Sequence, residues 1–542
     1  MLLVMPAVAG AAVDPDSALH AYAQARLADG DGALQAAVAN YRAAMTLDPD
    51  SIAIARRSFA QALESGDQDL SVRAATMLDS EGILPRDGTL LWIGEALERR
   101  DWTAAARATD RLEQEGNFAF LAPMIRSWIA QGEGRAEPPV ISDADPFANL
   151  ARRYVDEHVA LQAIGRGDLE TAMPAARRAL ALRGGNDGAA LRLNFAGQFA
   201  ARGFRDEALA MLPDGSADFA VARSDLKRGK YPKGKRALLS PAQGYARLVA
   251  RLAADIATDE AGVALGMRLA RIATFADPTS AEGHIIAARL LTAASYPAFG
   301  VAEARKSTGD RWYGPLAEAE LIVALAEAGD RAGAIVLARS RAQQPGADAA
   351  RHVQLGRLLA DEKDFAGAAA AFRAAQAGYT DETMPWSLLL FEGSALEQGE
   401  QWDGARAVLE RAARLAPNEP AILNYLGYAQ IERRQNVDQA LTLLKRASAL
   451  KPQDASITDS LGWAQYVTGN VTAAVPVLER AAAGAPDDPT VNEHLGDALW
   501  SAGRRYEARY AWNAAAIFAE GDVAERLAAK AREGLKPEYA AP

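Results

Sequence analysis

The run Gly229-Lys230-Tyr231-Pro232-Lys233-Gly234-Lys235-Arg236 has the spacing of a loop that cradles phosphate. Nucleotide chemistry at such a loop needs a hydroxyl at its last position to hold Mg²⁺, and Arg236 stands there instead. Pro232 interrupts the loop and no strand pattern leads into it. The plainer reading of Lys227, Arg228, Lys230, Lys233, Lys235 and Arg236 is a solvated basic loop, its rival a local patch for an anion or an acidic protein. His20, His158, His284, His352 and His494 are not spaced as joint metal ligands. Gly393-Ser394 lacks the frame of a nucleophile elbow. Asp487 and Asp488 lie between Pro486 and Pro489, where a carboxylate caps a helix more readily than it does acid–base work. The absence of cysteine excludes disulfides, thiolate metal sites and Cys nucleophiles. These residues predict no catalytic centre, no metal and no cofactor.

The elements around them are helical. Half of the 542 residues are hydrophobic but only 7% are aromatic, and the apolar share is mostly Ala and Leu, the best helix formers. A chain of this length exceeds one ordinary core and demands several domains or a solenoid. The formal net charge of −11 argues against nucleic acid or anionic lipid as a partner.

The later part of the chain repeats. Gly356, Gly393, Gly427, Gly462 and Gly496 follow one another at steps of 37, 34, 35 and 34 residues. Ala368, Ala405, Ala440, Ala474 and Ala508 keep that step to within a residue, and Phe372, Leu409, Leu444, Leu478 and Trp512 stand four places on. Ala375, Ala412, Ala447, Ala481 and Ala515 stand seven places on, and three units close with Pro417, Pro452 and Pro486. Such a unit reads as two antiparallel helices. Small residues let the backbones approach, the large residue is expected to fill the gap towards the next unit, and Pro ends the second helix. No unit buries its apolar face alone, so stacking is obligatory. The predicted fold class is all-α, an α-solenoid of antiparallel helix pairs.

A repeat of about 34 residues, small at these positions and ending in Pro, resembles the tetratricopeptide family. The match is strong over 349–517, good over 18–49 and degenerate elsewhere. Leu423 to Tyr428, Asp459-Ser460-Leu461-Gly462-Trp463 and Asn492 to Asp497 resemble more specifically a group of proteobacterial tetratricopeptide proteins. The resemblance implies a right-handed superhelix whose concave face holds a partner protein or peptide. Carried over residue by residue, the family's concave positions fall on Asn424 and Tyr428, on Asp459, Trp463 and Tyr466, and on Glu493, Asp497 and Trp500. Aromatics with a few carboxylates suit a peptide bearing apolar and basic side chains. The competing reading packs Trp463, Tyr466 and Trp500 between helices. The Lys/Asn clamp that some members use for a C-terminal carboxylate is not reproduced, because Asp459 and Glu493 carry the wrong sign.

From the start, residues 1–12 (Met1 to Ala12) are apolar, too short to span a bilayer, and carry Ala9-Gly10-Ala11 as a cleavage-like site without a basic flank. They predict a remnant of an export signal and a periplasmic location, with the cytoplasm as the alternative; no transmembrane segment is expected. Repeat-like pairs fill 13–131, with Ser51 expected to cap the helix that begins at Ile52. Pro, Gly and Asp mark 132–148 as a linker or hinge, and degenerate repeats fill 149–213. An irregular basic segment spans 214–240 and degenerate helical repeats 241–348. The regular array covers 349–517, and a capping helix with a tail completes 518–542. That last helix is expected to cover the array's apolar end and turn its polar residues, Glu525, Arg526, Lys530, Arg532 and Glu533, to water. The function implied is a non-enzymatic scaffold or adaptor. The alternative is a subunit or regulator of an enzyme or envelope assembly complex, which would need a compact pocket in the irregular middle.

Overall fold

The computed structural model describes residues 15–539 except 143–147, 183, 232, 233, 235 and 236. The apolar stretch 1–12 and much of the phosphate-loop-like run therefore lie outside the described residues. The described residues form 29 α-helices and two short 3₁₀ turns, without a strand. This is an all-α solenoid of helix hairpins. The chain divides into two compact units, 1–347 and 348–542.

In the C-terminal unit five hairpins follow in series: Ala349–Asp361 with Phe365–Ala375, Trp386–Gln398 with Trp402–Leu415, Pro420–Glu432 with Val437–Leu450, Ala455–Val467 with Val471–Gly484, and Pro489–Ser501 with Arg505–Phe518. The helix Gly521–Glu533 closes the series. Asp348, Asp454 and Asp488 start three of the first helices by accepting free N–H groups of the first turn. Pro417, Pro452 and Pro486 each fall two residues past the end of a second helix.

The glycines show why the unit repeats. A Cβ at Gly356, Gly393 or Gly462 would stand 2.6 Å from Phe372, Leu409 or Leu478, and one at Gly427 would stand 2.8 Å from Leu444. The large residue thus rides on the glycine of its own unit. It also meets the next unit, as Leu444 does in a cluster with Leu461 and Trp463. The expected gap-filling role is therefore incomplete: closing the hairpin is its first contact. The backbone turn within each hairpin is in phase too, with positive φ at Lys363, Glu400, Arg434, Gly469 and Gly503, each seven residues past the unit's glycine.

The N-terminal unit is not a simple row. Hairpins run from Pro15–Gly30 onward, but Pro241–Ile256 and Glu260–Ala276 return to pack on Arg86–Glu98, and Glu260–Ala276 also packs on Ile52–Ser65. Tyr245 donates from its buried hydroxyl to Leu90 O at 2.6 Å, 155 residues away. Arg268 reaches Asp87 at 2.8 Å, and Arg271 donates to Glu64 O at 3.2 Å. One apolar cluster accordingly runs from Ala21 to Leu291. Ser51 precedes its helix as expected, but its side chain makes no capping bond. The middle segment holds the helix Ala217–Arg228, so a helix leads into Gly229. Among the described residues no helix is long and apolar enough to cross a membrane.

Candidate functional site

The first helices of the C-terminal unit lie side by side, Pro420–Glu432 on Ala455–Val467 and that on Pro489–Ser501. These three helices carry every residue expected to meet a partner. The structure divides those residues into two groups.

Asn424, Tyr428 and Asp459 come together in a cleft of about 370 Å³, with Glu397, Tyr425, Glu432, Ser456, Ser460 and Asp488 in its wall. Four of these are carboxylates. Glu397 is paired with Arg433 and accepts from Tyr425 at 3.3 Å. Asp488 caps its own helix, accepting from Thr490 N at 2.8 Å and Val491 N at 3.2 Å. Glu432 is exposed. Burial pushes the Tyr425 phenol up to about 12. Burial, and next the Glu432 and Asp459 carboxylates, raise the Tyr428 phenol further still. Both tyrosines therefore stay neutral donors at any physiological pH.

Asp459 is buried, and its Oδ2 lies 2.9 Å from His494 Nδ1. Its Oδ1 accepts no hydrogen bond, and neither does Asn424 Oδ1. A buried acceptor without a donor costs about 1–3 kcal/mol, so two in one cleft leave it short of hydrogen-bond donors.

The second group is engaged within the chain. Trp463 stacks between Tyr466, at 5.0 Å, and His494, at 4.0 Å with the rings 11° from parallel. Tyr466 Oη lies 3.1 Å from Ser501 Oγ. Glu493 receives Arg526 through two bonds of 2.9 and 2.7 Å and Lys530 at 2.6 Å. Asp497 receives Lys530 on both oxygens at 2.8 Å and Trp512 Nε1 at 2.9 Å. Trp500 packs on Trp512 at 5.4 Å, with Arg505 and Arg509 over its ring. Burial works to raise the Glu493 carboxyl, but Arg526 and Lys530 outweigh it and hold the group below its usual range. At Asp497 burial prevails and the shift is upward. The expectation that Lys530 turns to water is corrected: its ammonium is fully buried against these two carboxylates.

His494 was invisible as a partner because its contacts lie 35 residues back, one repeat away, not at helical spacing. The repeat period supplies the signal: a residue one unit on, beside the equivalent position, is a neighbour in space. The same rule brings Arg526 to Glu493, 33 residues apart. Among the described residues no group of three His, Asp or Glu is arranged to hold a metal.

Comparison with known proteins places this face within a repeat family. Two tetratricopeptide repeat models match residues 395–461 and 460–524. No curated protein matches the chain. Among solved structures, the MamA protein is 21% identical, with a TM-score of 0.27, covering 36% of this chain and 98% of its own. MamA from Desulfovibrio magneticus RS-1 is 16% identical, with a TM-score of 0.28, covering 31% and 94%. YrrB, described as a tetratricopeptide protein with an unusual peptide-binding site, is 17% identical, with a TM-score of 0.29, covering 36% and 97%. Likenesses this slight add nothing to the repeat models. With two such matches over 395–524 and the hairpin series around them, the chain is a tetratricopeptide-repeat protein.

Proposed function

We propose that the C-terminal unit is a non-enzymatic protein-binding scaffold, and that its cleft at Asn424, Tyr428 and Asp459 takes a peptide carrying a basic side chain. The observation that carries this reading is the pair of partnerless acceptors, Asn424 Oδ1 and Asp459 Oδ1, in a cleft that also holds the exposed Glu432. A guanidinium or ammonium brings several donors and a positive charge, and a small side-chain rotation opens each acceptor to it. The contacts of Arg526 and Lys530 on Glu493 and Asp497 illustrate how this row of first helices receives such groups. Trp463, Tyr466 and Trp500 then support the cleft by packing, and Glu493 and Asp497 anchor the last helix.

Partners captured by crosslinking from the source cells with the full chain test this. Glu432→Lys, at an exposed position, should lose the partners that the unaltered chain recovers, and Tyr428→Ala should weaken them. Equal recovery by Glu432→Lys and the unaltered chain would sink the reading. Export to the periplasm belongs to the same proposal, supported by the apolar run that ends in Ala9-Gly10-Ala11. Sequencing the N-terminus of the mature protein checks it, and an intact Met1 would count against it.

A further inference from the structure

The helix Ala217–Arg228 in the N-terminal unit sorts its charges by side. Asp218 and Asp225 stand seven residues apart on one side, where Asp225 is buried and accepts from Arg311 at 2.5 and 2.8 Å. Ala220 and Lys227, also seven apart, stand about 160° round the helix from them. Along this second side runs a groove of about 490 Å³, which Pro345 and Gly346 also line from far along the chain.

No carboxylate is among the described residues that line the groove. One of its cations is already spent: Arg223 donates to Leu209 O at 3.2 Å and to Leu212 O, and pairs with Asp214. Lys227 and Arg228 are exposed and make no ion pair among the described residues. The hydroxyls of Ser216 and Ser224 are likewise unengaged there. The floor is low, because Ala217 and Ala220 project a single carbon and nothing lies within 4 Å of a Cβ built on Gly346. The sequence continues with Lys230, Lys233, Lys235 and Arg236 and no acidic residue before Ala237, a local reversal of sign in a chain of net charge −11. The unspent chemistry is thus two positive charges at one end of the groove and hydroxyl donors along it.

We propose that this groove docks an extended acidic segment of a partner protein. The side from Ser216 to Arg228 is about 18 Å long at 1.5 Å per residue. An extended segment of about five residues, at 3.3 Å each, follows that length. Its Asp or Glu side chains meet Lys227 and Arg228 in charge-assisted hydrogen bonds. Its backbone carbonyls accept from Ser224 and Ser216, and the low floor at Ala217 and Ala220 lets that backbone lie close. A nucleic-acid strand fits less well: it carries a phosphate at every step, and the Ser216 half of the groove holds no unmatched cation to meet them. The sign is opposite to that of the cleft at Asn424 and the groove lies in the other unit, so neither reading rests on the other.

The probe is fluorescein-labelled hexaglutamate, followed by fluorescence anisotropy as the full chain is added, with labelled hexaglutamine as the neutral control. Hexaglutamate should bind and hexaglutamine should not. Lys227→Glu with Arg228→Glu should weaken binding about tenfold or more, since each reversal replaces an attraction by a repulsion. Arg56→Glu with Arg57→Glu makes the same change of net charge at exposed positions of the same unit and should weaken it less than about twofold. Ala220→Arg, at an exposed position in the middle of the groove, should tighten binding several-fold, a gain that a misfolded chain does not give. No binding of hexaglutamate at millimolar concentration would overturn the proposal. So would equal weakening by the two double variants, or no tightening in Ala220→Arg. Tighter binding of a labelled oligothymidylate with six phosphates than of hexaglutamate would overturn it in favour of nucleic acid.

Discussion

Lys530 buries its ammonium 2.8 Å from both carboxylate oxygens of Asp497, with Glu493 Oε1 at 2.6 Å. Two carboxylates on one helix face would repel each other in an apolar setting, and the final helix supplies the charges that hold them. Arg526 stands one turn earlier on the same helix and serves Glu493 alone. The closing helix is therefore fastened by ion pairs as well as by Leu527.

Lys530→Met leaves Asp497 buried without the ammonium that both its oxygens accept from. Removing one partner of a buried pair costs about 3–5 kcal/mol, and Arg526 makes the low end the expectation here. The loss should show as faster amide exchange over residues 521–533, with little change in the earlier hairpins. Adding Asp497→Asn to Lys530→Met should restore part of the protection. Unchanged exchange in the single variant would mean that the ammonium does not hold the helix.

A pH effect arises in the other unit. Trp128 donates to His158 Nδ1 at 2.9 Å, and burial lowers the His158 imidazole from its ordinary 6.5 to about 4. Below 6.5 the unfolded chain takes up a proton that the folded chain refuses. The stability from neutral His158 is thus complete above pH 6.5 and is lost as pH falls towards 4, by up to about 3 kcal/mol. Urea unfolding followed by tryptophan fluorescence at pH 7.5, 5.5 and 4.5 should show the decline. His158→Gln should flatten it over that window, whereas an identical slope in that variant would remove His158 as its source.

The returning helix pair offers a third test. Tyr245→Phe removes the hydroxyl that donates to Leu90 O, a carbonyl inside the helix Arg86–Glu98, and with it the hydrogen bond that ties the returning helix to it. A cost of about 1–2 kcal/mol is expected. Crosslinks between residues 86–98 and 241–256 should persist in the unaltered chain. Their absence there would contradict the returning path.

The sequence was most legible where one unit predicts the next. Gly356 to Gly496 and their alanines stand in phase, so the hairpins of 349–518 follow from packing of small on large residues. The return of Glu260–Ala276 onto Ile52–Ser65 was hidden, because periodicity describes neighbours along the chain and says nothing of helices 200 residues apart. The candidate face could be drawn only up to position. Family spacing named Asn424, Tyr428 and Asp459, which line one cleft, but burial of Lys530 depends on a helix outside the repeat pattern. The turn at positive φ was also hidden, since glycine marks it at Gly469 and Gly503 while Lys363, Glu400 and Arg434 fill the same place elsewhere.

Two glycines seven residues apart separate packing from backbone strain. At Gly462 the backbone is helical, and an added Cβ would stand 2.6 Å from Leu478 Cγ, a side chain wedged in the hairpin. Gly462→Ala should cost about 1–3 kcal/mol by overpacking. At Gly469 nothing lies within 4 Å of an added Cβ, but φ is +84°. Gly469→Ala should cost about 1–2 kcal/mol from the left-handed backbone alone. The two differ in what relieves them. Shortening the neighbour by Leu478→Ala should bring the cost of Gly462→Ala close to zero and leave that of Gly469→Ala unchanged. The converse change, Lys363→Gly at the equivalent turn, should not destabilise, because release of the strained φ offsets the entropy that glycine adds to the unfolded chain. Chemical denaturation of these six variants and the unaltered chain gives all the differences. An equal rescue of both glycine variants by Leu478→Ala would show that strain and packing are not separable at this hairpin.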